Sequence, residues 1–126
     1  MQFVEGAQSN KTGQVAYTRA EAKQWFLDAA KESTKPFIYL SAGVSNAEFT
    51  ESLGLAAESG VRYSGVLCGR ATWKDGMPIF AKEGAAAFRK WLETKGVENI
   101  ANVNAAVKPA TAWYSFYGVT SADALA

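Results

Sequence analysis

Two short apolar runs, Phe37-Ile38-Tyr39-Leu40 and Gly65-Val66-Leu67-Cys68, are each followed at once by small residues and then by helix-forming sequence. A continuous apolar run with aromatic and β-branched content suits a strand buried on both faces, as in parallel sheets. Strands that alternate with helices imply parallel pairing through right-handed crossovers. This repeated strand–turn–helix unit restricts the chain to an α/β architecture.

The helical segments are bounded by their own signals. Thr18-Arg19-Ala20-Glu21 and Ser45-Asn46-Ala47-Glu48 both fit the capping box, in which the two ends of the motif satisfy each other's free backbone N–H groups. Behind the first, Ala22, Trp25, Phe26, Ala29 and Ala30 form an apolar stripe at helical period, and Pro36 marks a stop. Behind the second, Phe49, Leu53, Ala56 and Ala57 form another stripe, and Gly60 suits the residue just past the helix end. Residues 79 to 95 predict a helix with Phe80, Gly84, Phe88, Trp91 and Leu92 on one face, ending at Gly96. Ile100, Val103 and Val107 predict a short amphipathic helix before Pro109. Residues 7 to 14 read as a polar loop, and the last residues of the aromatic tail beyond Ala110 are expected to be disordered.

The order is helix, strand, helix, strand, helix, helix. Two strands are too few for a complete sheet, and a closed (β/α)8 barrel takes ~250 residues. The chain has 126 residues, about half that length, yet only two clear strands, and with that strand count it fits the last quarter to third of such a barrel.

Composition removes several function classes. The net charge is +1, with 13 basic and 12 acidic residues and no basic run, so no nucleic-acid footprint is expected. No apolar run approaches the ~20 residues of a membrane span, and the first residues lack the pattern of a signal peptide. A lone cysteine, Cys68, makes a cytoplasmic setting the expectation. The absence of histidine removes histidine acid–base chemistry and histidine metal ligands from this chain, and neither a metal nor a cofactor is expected.

Chemistry concentrates in the two turns. Ser41-Ala42-Gly43 follows one strand and precedes a helix, so its small residues let backbone N–H groups and the Ser41 hydroxyl approach an oxyanion. Gly69-Arg70 follows the other strand and supplies a fixed planar donor fork suited to phosphate. Taken singly, each has an ordinary alternative: a plain turn, or a solvated surface arginine. Taken together they leave successive strands at one end of a parallel sheet, where (β/α)8 enzymes often bind phosphate. Trp25, Phe26, Phe49, Phe88 and Trp91 are expected in the core, and Cys68 as inert packing. Glu5 is read as solvated. The lysines, Lys11, Lys23, Lys31, Lys35, Lys74, Lys82, Lys90, Lys95 and Lys108, fall in loops or on polar helix faces and are expected to be solvated.

The stretch from Pro36 to Ser45, with Leu40-Ser41-Ala42-Gly43 at its centre, resembles the seventh strand and loop of the tagatose 1,6-bisphosphate aldolases. Gly65 to Trp73, with Gly69-Arg70, resembles the eighth. Phe3-Val4-Glu5-Gly6, Tyr17-Thr18 and the segment from Glu83-Gly84 to Trp91-Leu92 also resemble family positions, so that the similarity runs from about residue 3 to residue 108. The resemblance implies the C-terminal portion of a TIM barrel, about strands 7–8 with flanking helices, over residues 1–112, with 113–126 as an unmatched tail. It implies a class I lyase that cleaves a ketose 1,6-bisphosphate to dihydroxyacetone phosphate and glyceraldehyde 3-phosphate through a lysine Schiff base, without metal. It assigns the substrate phosphate to Leu40, Ser41, Gly69 and Arg70. It puts the Schiff-base lysine just upstream of Val4-Glu5-Gly6, so no catalytic residue is expected in this chain, and the isolated chain is expected to be inactive without a missing barrel segment or an oligomer partner. The alternatives are a non-catalytic phosphate-binding or subunit-interaction fragment, and a related aldolase for another ketose phosphate, such as a sulfonated one.

Overall fold

The structure, a computed structural model, describes residues 16–125. The Phe3–Gly6 segment with Glu5, the loop 7–14 and Lys11 lie outside the described residues. The elements run α1 (Arg19–Lys31), β1 (Tyr39–Leu40), α2 (Asn46–Glu58), β2 (Val66–Leu67), α3 (Arg70–Trp73), a 3-10 turn (Lys74–Gly76), α4 (Met77–Trp91), a π-turn (Leu92–Gly96) and α5 (Val97–Val107). Two further 3-10 segments follow, Trp113–Tyr117 and Ala122–Leu125.

Both capping boxes form, at Thr18 with Glu21 and at Ser45 with Glu48. Helix α2 closes as the sequence predicts: Gly60 takes φ 72°, its N–H donates to the Ala57 carbonyl, and the Val61 N–H donates to Ala56. That double bond pattern satisfies carbonyls the helix end would otherwise leave free.

The strands β1 and β2 pair in parallel, with Tyr39 opposite Val66 and Leu40 opposite Leu67. They are shorter than the apolar runs, because only two residues on each strand keep the ladder. One face of the pair carries Phe37, Tyr39, Val66 and Cys68 against the core of Phe26 from α1, Phe49, Leu53 and Ala56 from α2, Tyr63, and Val103 from α5. Tyr39 is gripped by rings, with centroids 5.5 Å from Phe26, 5.5 Å from Phe37 and 5.1 Å from Tyr63. Burial, and then the neighbouring Tyr63, push the Tyr39 hydroxyl up to about 12.

The opposite face departs from expectation. Ile38, Leu40 and Leu67 are 51%, 55% and 64% exposed, so the strands are covered on one side alone among the described residues. Core residues of α1, α2 and α5 pack on its Tyr39 side. Among the described residues the outer edge of β1 has no partner strand, and Phe26, Ala30, Phe37, Ile38 and Tyr39 border a cavity of about 530 Å³.

Four other expectations need correction. Trp25 is 49% exposed beside Tyr17, because Ala22 and Phe26 take the core-facing row of α1. The helix expected over 79–95 is broken at Gly84, which takes φ 80°, and Phe80 before the break is 48% exposed. Gly96 does not end a helix. The chain passes through it with helical φ and ψ, and the π-turn joins α4 to α5. Gly96 is there for space, since a β-carbon on it would stand 3.2 Å from the Leu92 side chain. Gly76 is tighter still, its notional β-carbon 2.6 Å from both Phe88 and Trp91, which stack on each other. Those two rings are half-buried rather than central.

Candidate functional site

The parallel register puts the two turns side by side. The Tyr39 N–H donates to the Gly65 carbonyl (3.1 Å) and the Ser41 N–H to the Leu67 carbonyl (3.2 Å), so the last ladder bond ends at Ser41 itself. Beyond it the chain turns sharply. Ala42 takes φ 49° and Gly43 φ 90°, and the Val44 N–H donates back to the Ser41 carbonyl (3.2 Å). A left-handed alanine costs about 1–2 kcal/mol against its ordinary conformations. Such strain is kept where surrounding structure over-determines it, which is commonly a ligand-binding turn.

On the second strand the turn at Gly69 leads straight into α3, a short helix the sequence did not disclose, with Arg70 at its first position. The Thr72 N–H and hydroxyl both donate to the Gly69 carbonyl, at 2.9 and 2.6 Å, fixing that turn from behind.

The two turns border one hollow of about 410 Å³. Leu40, Ser41, Ala42 and Gly43 form one side; Leu67, Cys68, Gly69 and Arg70 form the other, with Trp73 beside them. All four residues singled out from the sequence, Leu40, Ser41, Gly69 and Arg70, are therefore brought together. They are not equivalent. Ser41 is buried at 4% exposure, whereas the Arg70 guanidinium is exposed and lies over Gly43, its carbon 3.0 Å from where a β-carbon on Gly43 would stand. Leu40 offers an apolar wall, and its side chain has no donor for an anion.

Cys68 behaves as packing. Burial pushes its thiol up, an effect only partly offset by the hydrogen bond with Ser41. A thiolate is thus disfavoured, and the cysteine is a poor nucleophile where it stands.

Sequence reasoning missed one member of the group. Lys74, expected to be solvated, is partly buried and its Nζ donates to the Gly43 carbonyl at 2.9 Å. The available signal was spacing, since Arg70 and Lys74 are four residues apart and fall on one side of a helical turn. Among the other described lysines, Lys23, Lys31 and Lys95 form exposed ion pairs with Glu58, Asp28 and Glu98.

Behind the hollow, two buried asparagines tie the turns together. The Asn99 Nδ2 of α5 donates to the Thr72 carbonyl (2.9 Å), and the Asn46 Nδ2 at the start of α2 donates to the Asn99 carbonyl (3.0 Å). Both residues are buried, so each bond replaces water the group has lost. No cluster of three or more metal-ligating side chains occurs among the described residues. No helix there is long and apolar enough to cross a membrane.

Two parallel strands, each handing the chain to a helix through a small-residue turn, with both turns facing one hollow, describe part of an α/β enzyme scaffold. Residues 8–75 match the DeoC/LacD family aldolases, and the chain belongs to that family. It is 44% identical over 117 residues to a tagatose 1,6-diphosphate aldolase of Listeria monocytogenes, a match covering 92% of this chain and 34% of that protein. It is 46% identical over 114 residues to a tagatose 1,6-diphosphate aldolase of Staphylococcus epidermidis and to tagatose 1,6-diphosphate aldolase 2 of Streptococcus pyogenes, each match covering 90% of this chain and 34% of the relative. The chain thus spans about a third of the length of the curated relatives it matches.

Proposed function

We propose that this chain forms the phosphate-binding part of a class I sugar-bisphosphate aldolase. In this reading its two strands are the last two of a TIM barrel, residues 1–112 belong to the aldolase domain, and 113–126 are an appendage to it. The substrate is a ketose 1,6-bisphosphate such as tagatose 1,6-bisphosphate, cleaved to dihydroxyacetone phosphate and glyceraldehyde 3-phosphate.

One observation carries the reading: Ser41 and Arg70 border the same hollow at the ends of adjacent parallel strands. The guanidinium brings permanent charge and a planar donor fork, and Ser41 brings a hydroxyl. Gripping the phosphate there would hold the substrate carbonyl in place for a Schiff-base lysine on an earlier strand. The described lysines support that division of labour, because none lies in a strand. The exposed row of Ile38, Leu40 and Leu67 supports it too, since barrel interiors are filled by side chains from neighbouring strands.

Calorimetric titration with dihydroxyacetone phosphate tests the clamp. Wild type is expected to bind and Arg70→Ala to bind at least about tenfold more weakly, the loss of one charge-assisted contact. Equal binding by the two proteins would remove the assignment. Borohydride reduction with the same ligand is expected to leave the chain unmodified, and a covalent adduct on it would move the nucleophile into these residues.

A further inference from the structure

We infer that Lys74 is a positioning residue of the hollow, acting through Gly43 rather than on the bound anion. The inference rests on the phosphate-clamp reading of Arg70 and adds a residue to it.

Lys74 does not border the hollow; it reaches the first turn from outside. Its ammonium donates to the Gly43 carbonyl at 2.9 Å, across 31 residues of sequence. Gly43 is the same residue that the Arg70 guanidinium covers, with guanidinium atoms 3.0 to 3.2 Å from its notional β-carbon. One glycine therefore meets two cations from the segment after β2, Lys74 bonded to its carbonyl and Arg70 over the space a side chain would fill. Gly43 is also the more mobile kind of residue, with φ 90° and no side chain, and the peptide that follows it is held by two bonds, Lys74 at its carbonyl and the Val44 N–H on the Ser41 carbonyl (3.2 Å).

The bond is of the stronger kind, a charged donor on a backbone carbonyl in a partly buried setting. The negative charge nearby belongs to Glu48, which is engaged in the Ser45 capping box. Lys74 lowers the Glu48 carboxyl only as the smallest of several influences, behind the hydrogen bonds from Ser45. Its hydrogen bond goes to the turn and not to that carboxylate.

Without Lys74 that peptide is held by the Val44 bond alone and is expected to open more often, and the surface on which Arg70 rests goes with it. The Arg70 fork then approaches phosphate from many poses instead of one. Ligand affinity should fall although no ligand contact has been removed.

The test uses the whole chain with Lys74→Ala, Lys74→Arg and Arg70→Ala, and two measurements. The first is amide hydrogen exchange at Gly43 and Val44 without ligand. The second is dihydroxyacetone phosphate affinity by calorimetry. Lys74→Ala is expected to exchange at least about fivefold faster at Val44 and to bind about fivefold more weakly, as befits the loss of one charged hydrogen bond. Lys74→Arg, which keeps a charged donor, is expected to restore both. Unchanged exchange in Lys74→Ala would overturn the inference whether or not any ligand binds. Unchanged affinity in Lys74→Ala beside a clear loss in Arg70→Ala would also overturn it, and would leave the clamp standing. Equal affinity in Arg70→Ala and wild type would instead sink the clamp itself.

Discussion

The guanidinium carbon of Arg70 lies 3.0 Å from the point that a β-carbon on Gly43 would occupy, so the arginine rests directly on a residue with no side chain. Gly43→Ala therefore meets two obstacles, the left-handed φ of 90° and the displaced guanidinium. We expect it to lose about 1–2 kcal/mol of stability from the backbone alone. Denaturant titration checks this, and the Arg70 side-chain resonance should shift in the same variant.

Ala42 gives the converse case. Its φ of 49° is strained for alanine, its side chain is exposed, and glycine adopts that region freely. Ala42→Gly should raise stability by a few tenths to about 1 kcal/mol, the left-handed strain less the greater entropy of the unfolded glycine. A lower denaturation midpoint would show that the strain is not relieved.

Asn99 is the buried link between α5 and the Arg70 turn. Asn99→Ala leaves the Thr72 carbonyl without that donor, and the expected loss is about 1–3 kcal/mol. The Asn46 bond runs to the Asn99 backbone and should survive, so Asn46→Ala and Asn99→Ala should behave as separate losses in denaturant melts.

The capping boxes predict the acid limb of stability. The Ser45 side chain, then its backbone N–H, hold the Glu48 carboxyl below its ordinary 4.5, and Thr18 does the same for Glu21. Arg19 lowers Glu58 as well. A folded value below the unfolded one means that the stabilisation is present above 4.5 and is lost as pH falls through the lowered folded value. Ser45→Ala should cost about 1 kcal/mol at neutral pH and flatten the fall in acid. Thermal melts between pH 6 and about pH 2 would read both effects.

The alkaline limb has the opposite sign. Tyr39, raised to about 12 by burial and then by Tyr63, and Tyr63, raised by burial, are both acids whose neutral form the fold prefers. Their contribution is whole below 10; that of Tyr39 declines as pH rises from there towards 12, and that of Tyr63 as pH rises through its own raised value. Ultraviolet titration should show these two phenols ionising above 10, and Tyr39→Phe should soften the alkaline loss of stability.

Much of this was legible in residues 18 to 73. The two capping boxes, the helix end at Gly60 and the two parallel strands are local patterns, and each formed where its residues stand, whereas the short helix α3 directly after the second strand was not read. The meeting of Ser41 and Arg70 was also readable, because parallel pairing forces both turns to one end of the sheet. Lys74 escaped notice because its partner is a backbone carbonyl 31 residues away, which no side-chain pattern announces. The breaks near Gly84 and Gly96 were misplaced for a related reason. A glycine in sequence signals freedom or closeness alike, and only packing shows that Gly84 turns the backbone while Gly96 makes room for Leu92.

The asparagine link also sets an order of assembly. Thr72 meets its donor 27 residues later in the chain, and Asn46 its acceptor 53 residues later. During synthesis both turns therefore leave the ribosome well before α5 exists to hold them. Until that helix arrives, the nascent chain carries the right residues for gripping an anion but not yet a rigid frame to set their spacing.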